Sequence, residues 1–361
     1  MPTRDARPSP APRDRSMQIV EFPWPRPPRP DHAIVPVFLP FRGCPSRCIY
    51  CSQIAQTGQT PRPIPETLQT AARHLAEAGE RGRPSDLAFY GGTFTALPEE
   101  DLARCLAFAA TMRESGRVRH VRCSTRPDAV YADVLGRLKE SGCTVVELGV
   151  QSFDDRSLGA SRRNYTGDVA LAACAMVKEA GLALGVQLLP GMPGCPPETF
   201  LQDVTMALGA GCDMLRFYPC LVLEGTELAR LWRQGAYRPW EMETCLDALA
   251  DGLLAAMAAN VPVIRMGVPP ERDMLRDILA GPYHDALGAR VRGRALLKAC
   301  ARHAAGRRIE TLAAPDHCSG HFWGDGMELR GAWTELGLTR ERVAFTDTHA
   351  IRMGIRRDDP L

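Results

Sequence analysis

The sequence predicts an α/β fold built on a parallel sheet, and three observations support this. Six short apolar runs alternate with five longer helical stretches between residues 33 and 218. Glycine closes several of the helical stretches and proline opens others. Polar and cysteine-bearing motifs fall just after the apolar runs, on what would be one rim of the sheet. Units of this kind require parallel strands with right-handed crossovers, hence a doubly wound sheet or a full or partial barrel. Periodicity alone leaves that choice open.

Residues 1–31 are rich in proline and arginine, with Pro23, Pro25, Pro27, Pro28 and Pro30 nearly alternating, and read as a disordered lead-in. The first unit is a strand over Ile34–Leu39 and a helix over Pro65–Ala78, with Pro65 at a first helical position. Leu87–Tyr90 and Glu99–Glu114 form the second. Three more pairs follow: Val118–Ser124 with Ala129–Ser141, Val145–Val150 with Val169–Ala180, and Leu182–Leu189 with Glu198–Ala210. Gly142, Gly181 and Gly211 stand where a C′ residue ends a helix. Met214–Tyr218 is the sixth strand, and Val261–Val268 is a further candidate after a helix over Glu241–Ala259. From about Glu271 the rhythm breaks. A helix over Asp285–Ala304 and short strands at Ile309–Leu312 and Val343–Thr346 predict a small α+β appendage. The expected organisation is a lead-in at 1–31, a core at 32–270 and an extension at 271–361.

The 361 residues are 45% hydrophobic and 24% charged, an ordinary globular composition with length enough for a barrel. A net charge of +2 excludes a uniformly basic nucleic-acid coat, and 6% aromatics argues against a broad base-stacking platform. Lys139, Lys178 and Lys298 are the only lysines; the other basic residues are arginines. Residues 1–31 lack the apolar run of a secretion signal, and the stretch Leu246–Ile264 is broken by Asp247, Asp251 and Asn260. No membrane association is expected. The thirteen cysteines are therefore expected as reduced thiols or metal ligands of a cytoplasmic protein.

The decisive run is Gly43-Cys44-Pro45-Ser46-Arg47-Cys48-Ile49-Tyr50-Cys51, just after the first strand. Its cysteines sit in a loop at a strand's C-terminal end, where α/β folds place active sites. Three thiolates would hold three corners of a [4Fe–4S] cube and leave one iron open, whereas an electron-transfer ferredoxin needs four cysteines. A structural zinc site would close its fourth position, and no cysteine or histidine follows at a usual spacing. A dithiol pair at Cys48 and Cys51 would leave Cys44 unused. The open cluster is the expectation, with zinc and dithiol redox chemistry as its competitors.

These residues resemble the radical SAM superfamily, whose signature is CxxxCxxC with an aromatic residue before the last cysteine, here Tyr50. Tyr90-Gly91-Gly92-Thr93-Phe94-Thr95 ends the second strand and resembles the family's GGT motif, whose backbone holds the amino group of S-adenosylmethionine. Paired glycines would let a ligand approach the backbone closely. Further motifs on the same rim are Cys123–Asp128, Glu147–Ser152, Ser161–Asn164, Gln187–Gly194 and Arg216–Pro219. The resemblance implies a partial (β/α)6 TIM-like barrel with a small C-terminal α+β extension. It implies a [4Fe–4S] cluster on Cys44, Cys48 and Cys51. It also implies S-adenosylmethionine contacts from Tyr50, Gly91, Gly92, Thr93, Ser124, Gln151, Arg163 and Gln187. Arg163 is expected on the cofactor's carboxylate, which a guanidinium fork suits.

Within the superfamily, the run Leu215–Pro219, the stretch Leu221–Leu228 and Gly235-Ala236-Tyr237 resemble the catalytic core of the Elongator protein 3 (Elp3) proteins and their shorter bacterial relatives. That likeness covers about residues 33–300 and extends to Leu279–His284. Elp3 proteins space their first two cysteines more widely. They also carry an acetyltransferase domain for which the residues after Ala280 are too few, so transfer from acetyl-CoA is not expected. The oxygen-independent coproporphyrinogen oxidase group shares the GGT motif, Gln151 and Arg163. It has a further cysteine where Gln53 stands, and carboxylates at the positions of Ser124 and Gln187. Porphyrinogen chemistry is not expected.

The activity implied is reductive cleavage of S-adenosylmethionine and hydrogen abstraction from a substrate, with an electron donor such as flavodoxin or ferredoxin. No catalytic residue of the chain itself is singled out. Residues 264–308 hold ten Arg or Lys against four Asp or Glu, and Arg290, Arg294, Lys298 and Arg302 recur on one helix face. Such a stripe is usually a solvated face; the competing reading is a phosphate-tracking surface for RNA such as tRNA, consistent with the Elp3 likeness. His317, Cys318 and His321 are candidate ligands of a second metal at an unusual spacing. The competing function is a non-catalytic iron–sulfur protein that binds RNA or senses redox state.

Overall fold

Each predicted apolar run between residues 34 and 218 becomes a strand, and Val261–Val268 supplies a seventh at Val263–Met266. The structure, a computed structural model, describes residues 17–27, 32–54, 58, 60–80, 84–268 and 272–360. Strands β2 (Ile34–Leu39), β3 (Ser85–Gly91), β4 (Val118–Thr125), β5 (Cys143–Gln151), β6 (Ala183–Leu188), β7 (Met214–Phe217) and β9 (Val263–Met266) form one parallel sheet in that order. Consecutive strands are neighbours throughout, so the sheet curls one way. A doubly wound sheet would reverse its order part-way. β2 and β9 remain edges, which makes the barrel partial.

Helices α1 (Ile64–Glu80), α2 (Glu99–Glu114), α3 (Ala132–Glu140), α4 (Asp155–Ala160), α5 (Gly167–Glu179), α6 (Pro197–Gly209), α7 (Glu227–Arg233) and α8 (Met242–Ala258) supply the connections. α4 and α7 fall in stretches the sequence reading left between elements. Gly142, Gly181 and Gly211 follow α3, α5 and α6 with φ of 87°, 71° and 74°, the left-handed C′ conformation. β5 is buried almost end to end, as expected of a central parallel strand covered on both faces. Phe200 of α6 meets Phe217 of β7 edge-to-face at 5.1 Å, fixing helix to sheet.

The division of the chain differs from the expected boundary at residue 271. Residues 27–291 form one unit; the described residues before 27 and those from 292 form another. The segment after 271 stays with the barrel because β10 (Ile278–Ala280) pairs with β8 (Val222–Leu223), while Met274 of α9 (Arg272–Asp277) packs against Leu221 and Leu223. Helix α10 spans Leu287–Ala304.

In the second unit the order is β1 (Met17–Pro23), β13 (Ala350–Pro360), β11 (Arg307–Pro315) and β12 (Val343–Thr346). Helix α11 (Arg330–Glu335) places Trp333 parallel to Phe322 at 4.3 Å, with its indole N–H donated to the Phe322 carbonyl at 2.7 Å. β1 corrects the reading of 1–31 as structureless, the remainder of which lies outside the described residues apart from 24–27. Its seven residues run antiparallel to β13, and Phe22 is buried against the ring of His303 at 4.1 Å. Pro23 is tolerated because β1 is an edge strand. β13 was missed because Arg352 and Gly354 interrupt Ile351, Met353 and Ile355, all of which are buried.

Candidate active site

β2 ends at Leu39, and the chain then turns through Phe41 (φ 57°) and Gly43 (φ 72°) into the cysteine loop. The end of β3 holds that loop: Gly92 N–H donates to the Leu39 carbonyl at 2.9 Å and Thr93 N–H to the Arg42 carbonyl at 2.7 Å. A Cβ on Gly92 would lie 1.8 Å from the Arg42 oxygen, and Gly91 has φ +105° with Leu39 backbone 2.9 Å from where its Cβ would be. The paired glycines therefore admit the cysteine loop's own backbone. This differs from the expected role of giving a ligand access, although both glycines also line the cavity below.

That cavity has a volume of about 590 Å3 and is lined by Cys44, Cys48 and Cys51 together with Tyr50, Gly91, Gly92, Ser124, Gln151, Arg163 and Gln187. Of the predicted contacts Thr93 alone is absent from the wall; it is buried, with its hydroxyl 3.4 Å from Cys44 Sγ. Cys48 is buried and holds two arginines: Arg163 Nη1 at 3.1 Å and Arg126 Nη1 at 3.8 Å. Burial, then the neighbouring Cys48 and Cys44, push the Cys51 thiol up to about 12. The buried Tyr50 hydroxyl has no hydrogen-bond partner among the described residues, and burial raises its pKa well above the usual tyrosine range.

This donor set fits an iron–sulfur cube. Soft thiols face one cavity, a hydroxyl beside them awaits a partner, and guanidinium groups stand where an anionic cluster needs positive charge. All thirteen cysteines are free, and the ten outside the loop are buried.

Arg163 sits differently from expectation. Its Nε and Nη2 bond the Tyr165 hydroxyl at 3.0 and 2.8 Å, and Nη2 also reaches the Gly149 carbonyl, so its fork is engaged by protein groups and Cys48. Arg162 and Asn164 flank it with φ of 55° and 58°, a left-handed pair that non-glycine residues adopt at some cost. Arg126 is locked in turn by a bidentate pair with Asp128 at 2.8 and 2.7 Å and by the Arg163 carbonyl at 2.6 Å. Gln151 also adopts φ 69°, and a Cβ on Gly149 would lie 3.0 Å from its amide. The glycine makes room for the glutamine.

The sequence reading did not single out Glu147 as a site residue, although it is the hub of the barrel interior. It is fully buried on β5. Its Oε1 accepts from Tyr90 at 3.1 Å, Arg122 at 3.2 Å and Arg216 at 3.0 Å; its Oε2 accepts from Gln187 at 3.1 Å and lies 2.6 Å from Arg216 Nε. Gln187 also donates to the Ser124 hydroxyl at 2.9 Å. Strand register explains the meeting: Ser124 pairs with Glu147, and Gln187 with Arg216. A glutamate in an otherwise apolar strand, two residues before a glycine, was the available signal. At the end of β5, Ser152 Oγ and Phe153 N–H donate to Asp203 of α6, each at 2.7 Å. Burial pushes that carboxyl up to about 6.

Further expectations concern residues outside the cavity. Arg290, Arg294 and Lys298 are half-buried rather than solvated, with only Arg302 of that stripe exposed, and each has a partner. Arg290, for one, is 4.0 Å from Glu243. That face is partly packed rather than fully open to solvent. His317, Cys318 and His321 form no three-ligand metal set among the described residues. Burial pushes the Cys318 thiol up to about 12 and the His321 imidazole down to about 4. No helix among the described residues is long and apolar enough to cross a membrane.

The sequence profile of the radical SAM superfamily matches residues 38–207, and that of the radical SAM C-terminal domain matches 212–295. The tRNA uridine(34) acetyltransferase of Methanocaldococcus jannaschii is 30% identical over 258 residues, covering 60% of this chain and 48% of that protein. The protein of the same name from Dehalococcoides mccartyi is 32% identical over 243 residues, covering 58% and 53%. The chain thus spans about half the length of the curated relatives it matches. The solved Elp3 of Methanocaldococcus infernus superposes with a TM-score of 0.58 at 24% identity, over 74% of this chain and 63% of that one. That likeness is one of fold.

Proposed function

Since the chain belongs to the radical SAM superfamily of enzymes and is Elp3-like within it, we propose that it cleaves S-adenosylmethionine reductively and takes hydrogen from a substrate. The observation that carries this reading is that Cys44, Cys48 and Cys51 face one cavity with Tyr50, Gln151 and Arg163. When bound there, a [4Fe–4S] cluster supplies the electron for that cleavage.

The chain's own residues bind, orient and exclude. Cys44, Cys48 and Cys51 hold the cluster, and Arg163 and Arg126 orient the Cys48 sulfur and offset negative charge beside it. Gly92 and Thr93 latch the cysteine loop to β3. Tyr50, Gly91, Gly92, Ser124, Gln151 and Gln187 line the space for S-adenosylmethionine. Glu147 ties Tyr90, Arg122, Gln187 and Arg216 into one rigid floor, while Leu189, Leu221 and Val268 keep that end apolar. The substrate is a tRNA uridine, as the names of the acetyltransferase relatives suggest.

The test is anaerobic cluster reconstitution followed by dithionite and S-adenosylmethionine, with 5′-deoxyadenosine measured with and without bulk tRNA. Cleavage that disappears in Cys48→Ala supports the radical reaction, and stimulation by tRNA supports the RNA substrate. A fully loaded cluster without cleavage would favour a binding or sensing role.

A further inference from the structure

We propose that the substrate presents a phosphate group to Arg265, on the last strand of the half-barrel, a step beyond the radical reading on which the word substrate rests. Arg216 and Arg265 are direct register partners on β7 and β9, so their side chains leave the sheet side by side, and both line the cavity. Like charges on adjacent strands repel, so this pair needs negative charge close by.

Arg216 already has it. Its guanidinium is spent on Glu147, the Tyr90 hydroxyl at 3.1 Å and the Tyr218 hydroxyl at 3.0 Å. Arg265 makes one weak bond, Nε to the Gly267 carbonyl at 3.4 Å, and no ion pair among the described residues. Arg122 and Arg216 share the one carboxylate of Glu147 while Arg265 has none, so the three guanidinium groups carry two positive charges beyond it. No aspartate or glutamate is among the described residues that line the cavity.

A phosphodiester of the tRNA would give Arg265 the anionic partner that Arg216 finds in Glu147. The fork of Arg265 suits phosphate oxygens. The Tyr218 hydroxyl accepts from Arg216, which leaves its own proton to donate. Leu221, Val268 and Met274 in the same wall exclude water and strengthen the attraction.

The experiment titrates inorganic pyrophosphate calorimetrically into the anaerobically reconstituted protein, the Arg265→Gln variant and the Arg265→Lys variant. The wild type is expected to bind at one site, Arg265→Gln about tenfold or more weakly, and Arg265→Lys in between. Unfolding midpoints check each variant's fold, and Arg265→Lys still reads the missing fork if Arg265→Gln is unstable. Equal affinities, or no binding by the wild type, would overturn the proposal. So would acetate binding as tightly as pyrophosphate, or Arg265→Gln losing S-adenosylmethionine affinity, which would assign Arg265 to the cofactor. If the wild type fails to cleave S-adenosylmethionine, the radical reading falls while the pyrophosphate titration still decides this one.

Discussion

Arg163 Nη1 lies 3.1 Å from Cys48 Sγ, a contact bridging 115 residues of sequence between the cysteine loop and the segment joining α4 to α5. Both groups are buried. A hydrogen bond from a charged donor is worth about 1.5–3 kcal/mol, roughly tenfold to a hundredfold in an equilibrium. Arg163→Gln removes the charge and shortens the reach, so we expect iron and sulfide retained per chain after gel filtration to fall by about tenfold at limiting iron. Arg163→Lys should restore part of it. Unchanged retention in Arg163→Gln would mean the contact does not serve the cluster.

Gly92→Ala tests the latch between β3 and the cysteine loop. The added methyl would meet the Arg42 carbonyl oxygen at 1.8 Å, a backbone atom that cannot turn aside. We expect a loss of about 1–3 kcal/mol, as for other overpacked sites. The barrel should remain folded by circular dichroism while cluster loading drops sharply. A variant that loads normally would show that the loop does not depend on this approach.

Glu147→Gln leaves the half-buried Arg122 and Arg216 without their fully buried carboxylate. Removing one partner of a buried ion pair costs about 3–5 kcal/mol, far more than an exposed pair would. The urea midpoint should fall accordingly. Glu100→Gln is the contrast: its carboxylate pairs with Arg104 at an exposed position, and the midpoint should barely move. Equal effects from the two would contradict the hub.

Asp203 sets a pH dependence. Its folded pKa is about 6 against an ordinary value of 3.8, with burial as the leading cause, so the folded state binds more protons between those values. Its contribution to stability is therefore greatest below about pH 4 and is lost as pH rises through about 6, on the order of 3 kcal/mol in all. Asp203→Asn keeps an acceptor for the Phe153 N–H and removes the titration. Denaturant unfolding between pH 4 and 7 should show a shallower decline in the variant than in the wild type.

Much of the barrel was legible because local rules and global fold agree there. Glu99–Glu114 and Ile34–Leu39 keep their expected ends, and the C′ glycines fall where expected. Short elements such as α4, α7 and the β8–β10 pair escaped because two to seven residues cannot display a period. β1 escaped for another reason. Proline and arginine content masked an edge strand whose partner begins at Ala350, and pairing over such a separation leaves no local trace.

The sequence by itself determined the chemistry on offer: three thiols at fixed spacing, an aromatic residue beside the last, a glycine pair and a rim of polar groups. Covalent spacing and strand periodicity are local properties, and they persist whatever the chain does elsewhere. Only the tertiary structure decided what those groups face. It turned Arg163 onto Cys48, spent the glycine pair on the cysteine loop, buried most of the basic stripe and made Glu147 the centre of the floor. These outcomes depend on strand register and on side chains far apart in sequence filling one low-dielectric space. There each charge must find a partner, and which partner it finds is set by packing.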